Sequence, residues 1–474
     1  LHRFSKVVIS TPRSRDLTIS GLRLDASFYN PIKMIAEQQL TRTGLGYEPL
    51  KKLAKNHRSN LRERAFVSSE NGIPLLTGRN LDTVSDDDLN YVSKILTRNV
   101  ELEKLTQNDI LMSCQGTVGK TDFVWQNYEK KLASEQIIRI RPKGEKIDPG
   151  FLYAFLSCPA VQSIVLNKHA GSVIDHLSTE HLDSLPVTRF EDDFEKSIGN
   201  MIRRSFGSRS KARNLLHVVD RLILKSNRLP PMEIEGIKWF DPNKGVESVV
   251  VSSKDAINTN QAGSEYRLDA HFYNPLVQLA IENIKKAKTE FKTIDDVTKR
   301  VFLVPRFKRN YVDQKYGHPF LSGKNIIQTR PTNLKYLSKS ETKNLELYYL
   351  EKKWTLITCS GTIGRTCFVW ENYENYTATQ HILRVVADDT QIDPGYLYAF
   401  LSSQYGKLQV LRYSHGSVID EITDKQIRKV LIPIPSEEEQ KQIGDLVRSA
   451  YEKRADAIRL EDEAQEILME ALTQ

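Results

Sequence analysis

Short apolar runs separated by Gly, Asn and Pro turns fill the chain up to about residue 190 and again from 246 to about 435. Ile110-Leu-Met, Phe123-Val-Trp, Ile137-Ile-Arg-Ile140 and Leu383-Arg-Val-Val386 have strand length and β-branched or aromatic content, which predicts mixed strands. Tyr153 to Leu156 and Tyr398 to Leu401 each follow Asp-Pro-Gly, and the early Pro predicts a short helix. The period then lengthens. Stretches at about 194–228 and 436–472 lack interior Pro and repeat in sevens, so each predicts one long helix. In the second, Ile443, Ala450, Ala457, Ala464 and Ala471 form one line and Leu446, Lys453, Leu460 and Ile467 the next. The first carries Ile198, Ser205, Ala212 and Val219 beside Met201, Ser208, Leu215 and Leu222. Small residues on one line permit close approach of two helix axes. The stripe therefore predicts that Ile198, Met201, Ala212, Leu215, Val219 and Leu222 pair with Ile443, Leu446, Ala457, Leu460, Ala464 and Ile467.

These patterns occur twice because the chain is written twice. Arg23 to Pro31 returns as Arg267 to Pro275 at an offset of 244, and thereafter the offset settles at 245. Pro74 to Asn80 meets Pro319 to Asn325, Ser113 to Trp125 meets Thr358 to Trp370, and Ile147 to Ser157 meets Ile392 to Ser402. Gly171 to Asp175 meets Gly416 to Asp420, and the early VVIS at 7–10 corresponds to VVVS at 249–252. A period this long means two whole domains of one fold. The expected class is α+β: two similar mixed domains at 1–190 and 246–435, long helices at 191–229 and 436–474, and a connector at 230–245. The helices are expected to run antiparallel in a pseudo-twofold arrangement.

Charge sharpens the pairing. Residues 194–228 hold nine Lys and Arg against Glu195 and Asp220, a net of +7, whereas 436–474 hold five against eleven acids, a net of −6. Opposite flanks on matching seams favour mutual pairing. Over all 474 residues the net charge is +8, with 27% charged and 39% hydrophobic residues, a globular composition leaning toward a polyanion. The four cysteines, 114, 158, 359 and 367, form no CxxC pair and no zinc spacing, and reduced thiols suit a cytoplasmic protein. No apolar run reaches transmembrane length, and the N-terminal LHRFSKVVIS is too short and polar for a secretory signal.

Catalytic patterns fail one by one. Gly116-Thr-Val-Gly-Lys-Thr121 resembles the end of a phosphate-binding loop, but Cys114 stands where Gly is required and Arg365 replaces Lys120 in the second copy. No GxGxxG follows a strand, and Phe-Tyr-Asn-Pro lacks the second Pro of an adenine-methyltransferase loop. Glu-x-Lys pairs at 129/131, 290/292, 351/353 and 439/441 never fall in register, and His169 and His415 are one residue out of register. No catalytic residue, metal site or bound cofactor is expected.

Basic residues do fall in equivalent places. Residues 51–64 hold Lys51, Lys52, Lys55, Arg58, Arg62 and Arg64, and 299–309 hold Lys299, Arg300, Arg306, Lys308 and Arg309 with Phe302 and Phe307 interleaved. The loops differ while the framework around them repeats, as expected where framework positions and loops specify. Arg79-Asn80 and Lys324-Asn325 add a donor pair after a Gly in each copy, and the turn cations Lys120 and Arg365 are within the same expected DNA contact set.

This layout resembles the specificity subunit of type I restriction-modification systems. The resemblance rests on the Gly-x-x-Gly-basic turns (116–120, 361–365), the Gly-Ser-x-Ile segments (171–174, 416–419) and Leu431-Ile-Pro-Ile-Pro-Ser-Glu-Glu-Glu-Gln-Lys-Gln-Ile443 leading into the final helix. Leu185 to Ile198 departs from it, having lost the second Pro and the Glu-Gln pair. The resemblance implies two target recognition domains that each read half of a bipartite, asymmetric double-stranded DNA site, with the helices as a ruler between them. It also implies two partner adenine methyltransferase subunits, which bind S-adenosylmethionine, and translocase-nuclease subunits in a restricting complex. Two other readings stand beside it: a target-recognition subunit of a different phage-defence methylation system, and a two-domain coiled-coil scaffold for proteins.

Overall fold

The computed structural model describes residues 40, 45–61, 64–83, 89–126, 128–168, 177–232, 269, 272–416 and 419–473. The repeats at 7–10 with 249–252, Arg23 to Pro31, Gly171 to Asp175, and the residues Arg62 and His169 lie outside the described residues, as does most of the 230–245 connector. The chain divides into two units, one of residues 1–210 with 456–474 and one of residues 211–455.

In the first unit the strands are β1 (Tyr47–Pro49), β2 (Ala54–Arg58), β3 (Phe66–Val67), β4 (Gly72–Leu76), β5 (Asn90–Ser93), β6 (Ile110–Ser113), β7 (Thr121–Phe123), β8 (Leu132–Ala133), β9 (Ile137–Pro142) and β10 (Pro186–Thr188). They form a two-stranded sheet β1-β10 and two four-stranded sheets, β2-β9-β6-β7 and β3-β5-β4-β8. Every pairing is antiparallel except β4 with β8. Helices α1 (Pro149–Ser157) and α2 (Pro159–Lys168) follow β9, and the long helix α3 (Asp192–Ser226) follows β10.

The second unit has α4 (Pro275–Lys286), then β11 (Glu290–Thr293), β12 (Thr298–Phe302), β13 (Tyr311–Val312), β14 (Gly317–Leu321), β15 (Lys335–Ser338), β16 (Thr355–Thr358), β17 (Thr366–Phe368), β18 (Thr377–Ala378), β19 (Ile382–Ala387) and β20 (Leu431–Ile434). Helices α5 (Pro394–Ser402) and α6 (Gln404–Arg412) lie between β19 and β20, and the long α7 (Glu437–Thr473) closes the chain. Its sheets, β11-β20, β12-β19-β16-β17 and β13-β15-β14-β18, repeat the first unit strand for strand, including the one parallel pair, β14 with β18.

Period-two alternation decides which way β6 faces. Ile110 and Met112 point into a cluster with Phe151, Phe155 and Ile202, whereas Leu111 points the other way, against Leu76, Leu81 and Ala133 beneath the second sheet. A strand covered on both faces needs apolar residues throughout, and all of β6 is buried. Helix α1 is buried almost all round for the same reason.

Asp148 starts α1 by accepting from the N–H groups of Gly150 and Phe151 at 2.9 and 3.0 Å, with Pro149 at the position where a missing N–H costs nothing. Asp393 caps α5 identically, at 2.8 and 3.0 Å. Each carboxylate also takes an arginine from the long helix beside it, Arg203 at 3.0 Å and Arg448 at 3.0 Å. The crossings are close because both sides are glycine. A Cβ on Gly199 would sit 1.9 Å from Asp148 Oδ1, and one on Gly444 1.9 Å from Asp393 Oδ1.

The altered lead-in to α3 leaves its start in place, since Asp192 and Glu437 are 245 apart. Where Ser436 and Glu439 cap α7 reciprocally, Glu195 is buried and reaches back to the Phe190 N–H at 3.1 Å and to Arg189 at 2.8 Å. An ion pair replaces the missing cap.

Each unit contains pieces of both long helices. In the first, Ile198, Ile202 and Phe206 of α3 share a core with Ala464, Leu468 and Leu472 of α7. In the second, Val219 and Ile223 share one with Ile443, Val447 and Tyr451. The first line of the expected stripe is buried at Ile198, Ser205, Ala212, Val219, Ile443, Ala450, Ala457 and Ala464, and half-buried at its last member, Ala471. The second line is corrected by one residue. Met201, Leu215, Leu222, Leu446 and Leu460 are half-buried and Ile467 is exposed at 36%, while the next residues along, Ile202, Ile223, Val447, Arg454, Glu461 and Leu468, are buried. Polar side chains occupy part of the true line, so hydrophobicity pointed to its neighbour.

Candidate nucleic-acid interface

The first basic stretch folds as a helical turn, Leu50–Leu53, running into β2, the outer strand of its sheet. Lys51, Lys52 and Lys55 are exposed. Arg58 and Arg64 turn inward: Arg58 Nε donates to the Glu135 carbonyl at 2.7 Å and Arg64 meets the Glu135 carboxylate at 2.5 and 3.3 Å. The matching stretch of the second unit contains β12, again an outer strand. Arg300 is exposed, its guanidinium 4.2 Å from the Phe302 ring, and Arg306 and Lys308 are exposed on the following loop. Arg309 is fastened to Thr379 and Gln380, and Phe307 stacks 4.0 Å from Tyr348. The aromatics between the cations thus pack the loop onto its unit.

Asn80, Asn325 and Lys120, like Arg58, Arg64 and Arg309, also have partners inside their own unit. Asn80 Oδ1 accepts from Thr77 N–H and Oγ1 at 2.9 and 2.6 Å, and Asn325 Oδ1 from Ser322 N–H and Oγ at 2.9 and 2.7 Å. Both close the turn after their strand, leaving the exposed Arg79 and Lys324 beside them as the outward groups. Lys120 is half-buried and its Nζ donates to the Leu81 carbonyl. The Gly-x-x-Gly turns owe their pattern to backbone: Gly116, Gly119, Gly361 and Gly364 have φ of 70, 84, 75 and 83°, the left-handed region. Arg365 is half-buried at the end of the second turn, its N–H held by Thr358 Oγ1 at 3.0 Å.

Beneath the first turn lies a polar cluster that residue patterns did not reveal. Arg209 of α3 pairs with Asp82 at 2.9 Å and with Glu461 of α7; Tyr153 Oη donates to Glu461 at 2.7 Å, and the Asp82 N–H to Asp122 at 2.6 Å. Burial pushes the Asp82 carboxyl up to about 7 even with Arg209 and Lys120 nearby, and raises Asp122 as well. Burial also works against the Arg209 charge, but Glu461 and Asp82 hold its pKa above the usual arginine range. In register, the second unit has Ile327 for Asp82, Cys367 for Asp122 and Arg454 for Arg209, and Leu216 of the first helix answers Glu461. Acids in one copy opposite apolar residues in the other were the available signal. All four cysteines are buried free thiols. Among the described residues no group of three His, Cys, Asp or Glu is placed to hold a metal, and no single helix is long and apolar enough to cross a membrane.

Residues 286–460 match the family model described as the type I restriction modification DNA specificity domain. No curated protein matches the chain by sequence. Among solved structures, it is similar to the S subunit of a type I restriction-modification system from M. genitalium, 12% identical over 91% of this chain and 96% of that one, with a TM-score of 0.31. It is also similar to the HsdS subunit of Thermoanaerobacter tengcongensis, 12% identical over 91% and 97%, TM-score 0.29. A third chain, from a structure of complex assembly in a type I R-M system, is 14% identical over 90% and 97%, TM-score 0.28. Residues 286–460, most of the second unit, thus carry a type I restriction modification DNA specificity domain.

Proposed function

We propose that this chain selects a bipartite, asymmetric DNA site, each unit reading one half, and brings adenine methyltransferase subunits to it. The observation that carries the reading is the exposed cations on two matching frameworks, of which Lys55 with Arg300 and Arg79 with Lys324 fall in register. The full set is Lys51, Lys52, Lys55 and Arg79 in the first unit, and Arg300, Arg306, Lys308 and Lys324 in the second. Their placement on outer strands and turn tips suits phosphate contact, and the divergence of the surrounding residues suits a different base sequence at each half. The boundaries 1–190 and 246–435 mark the proposed recognition domains, with 191–229 and 436–474 as the paired helices. S-adenosylmethionine belongs to the partner, and this chain transfers no methyl group.

Methylome sequencing of the host with and without the gene tests this directly. The expected result is loss of N6-methyladenine from one two-part, non-palindromic motif. Methylation by the purified chain alone, or loss of a continuous symmetric motif, overturns it.

A further inference from the structure

One motif recurs in register outside the basic surfaces: Thr97-Arg-Asn-Val-Glu-Leu102 and Thr342-Lys-Asn-Leu-Glu-Leu347. In both copies the Thr and the Val or Leu are buried, the Asn takes a left-handed conformation (φ 58 and 51°), and the final Leu N–H donates to the Asn carbonyl at 3.1 Å. The last leucine is turned out to solvent both times, Leu102 at 74% exposure and Leu347 at 50%.

The supports beneath the two turns differ. Arg139 holds the Leu102 and Lys104 carbonyls at 3.2 and 3.1 Å, whereas Tyr348 is wedged against Phe307 and Tyr349 Oη meets His318 Nε2 at 2.9 Å. Packing therefore does not dictate the outward leucine, which two unlike foundations present alike. Residues 97–104 carry Arg98 and Lys104 against Glu101 and Glu103, with Lys104 Nζ on the Glu101 carboxylate at 2.6 Å, and residues 342–349 carry Lys343 against Glu346, so neither turn has excess positive charge to draw phosphates. An exposed leucine on a rigid turn, framed by opposite charges, is the composition of a protein contact. A surface that reads variable DNA sequence has no reason to be the same in both units, but a partner met twice has.

We infer that Leu102 and Leu347 are twin docking points for one kind of protein subunit, one copy on each unit. Each leucine enters an apolar socket on that subunit. The inference rests on the reading above, which makes that subunit the partner methyltransferase.

The full chain, co-expressed with the methyltransferase of its own system, is examined by native mass spectrometry. The unaltered chain is expected to carry two copies, Leu347→Glu one, and Leu102→Glu with Leu347→Glu none, while Leu→Met at both sites restores two. Circular dichroism melting and DNA affinity of the isolated double variant are expected to match the unaltered chain. Two copies retained by the double variant overturn the inference, as does a loss of DNA affinity in the isolated chain, which makes the turn a DNA contact. Failure of the unaltered chain to bind any methyltransferase sinks the proposed function itself, before any variant is made.

Discussion

Gly444 has no freedom to become anything else, because a Cβ there would sit 1.9 Å from Asp393 Oδ1, and a Cβ on the facing Gly395 would lie 2.7 Å from the Gly444 Cα. Gly444→Ala is expected to separate α5 from α7 and cost about 1–3 kcal/mol in urea unfolding, the usual penalty for overfilling a packed contact. Gly207, inside α3, has nothing within 4 Å of its absent Cβ, so Gly207→Ala is expected to raise stability by about 0.5–1 kcal/mol. Equal effects at the two glycines would refute this account of the crossing. A second residue-scale prediction concerns Asp82, whose folded pKa of about 7 stands above the ordinary 3.8. Between those values the folded chain holds a proton that the unfolded chain has released, so stability falls as pH rises from about 4 to 7 and levels off above. Asp122, also raised by burial, acts in the same direction. Asp82→Asn is expected to flatten that slope in melting curves taken from pH 5 to 8. An unchanged slope would mean Asp82 is ionised throughout.

Strands and helices were legible where one period ran unbroken. β6, β9 and β19 read as apolar runs because both their faces are covered, and α1 and α5 because Asp-Pro-Gly is a start signal that needs no tertiary context. The second seam line of the long helices was not legible. Arg209 and Glu461 lie on it, and a buried ion pair looks in sequence like a solvated face. The turn-closing role of Asn80 and Asn325 is hidden for a related reason, since an amide that closes a turn has the same composition as one that reads a base. The pairing across the seam is testable. Arg209→Leu strands Asp82 and Glu461 without their cation and is expected to cost about 3–5 kcal/mol. Adding Glu461→Leu, the residue found at the in-register position 216, is expected to recover about half of that loss. A double variant no more stable than the single one would show that the pair does not act as a unit.

On the scale of the whole molecule, a net charge of +8 is too small to announce a nucleic-acid protein, and its distribution is what matters. Arg58, Arg64, Lys120, Arg209 and Arg309 are engaged inside their own units and add nothing to an outward field. Of the expected contact set, a few cations on each unit face solvent, Lys55 with Arg300 and Arg79 with Lys324 in register. If each unit reads its own half, damage to one set must be felt at one half only. Arg306→Glu with Lys308→Glu is expected to relax discrimination at one half of the modified motif and leave the other intact. Lys51→Glu with Lys52→Glu and Lys55→Glu is expected to do the converse. Because phosphate contacts also set overall affinity, both variants should bind more weakly and show a shallower dependence on salt, about one power less per lost contact. Affinity alone therefore cannot decide between one shared surface and two separate ones. The motif recovered by methylome sequencing can: two variants that degrade different halves require two reading surfaces, and two variants that blur the whole motif equally would leave the repeat as architecture without a division of labour.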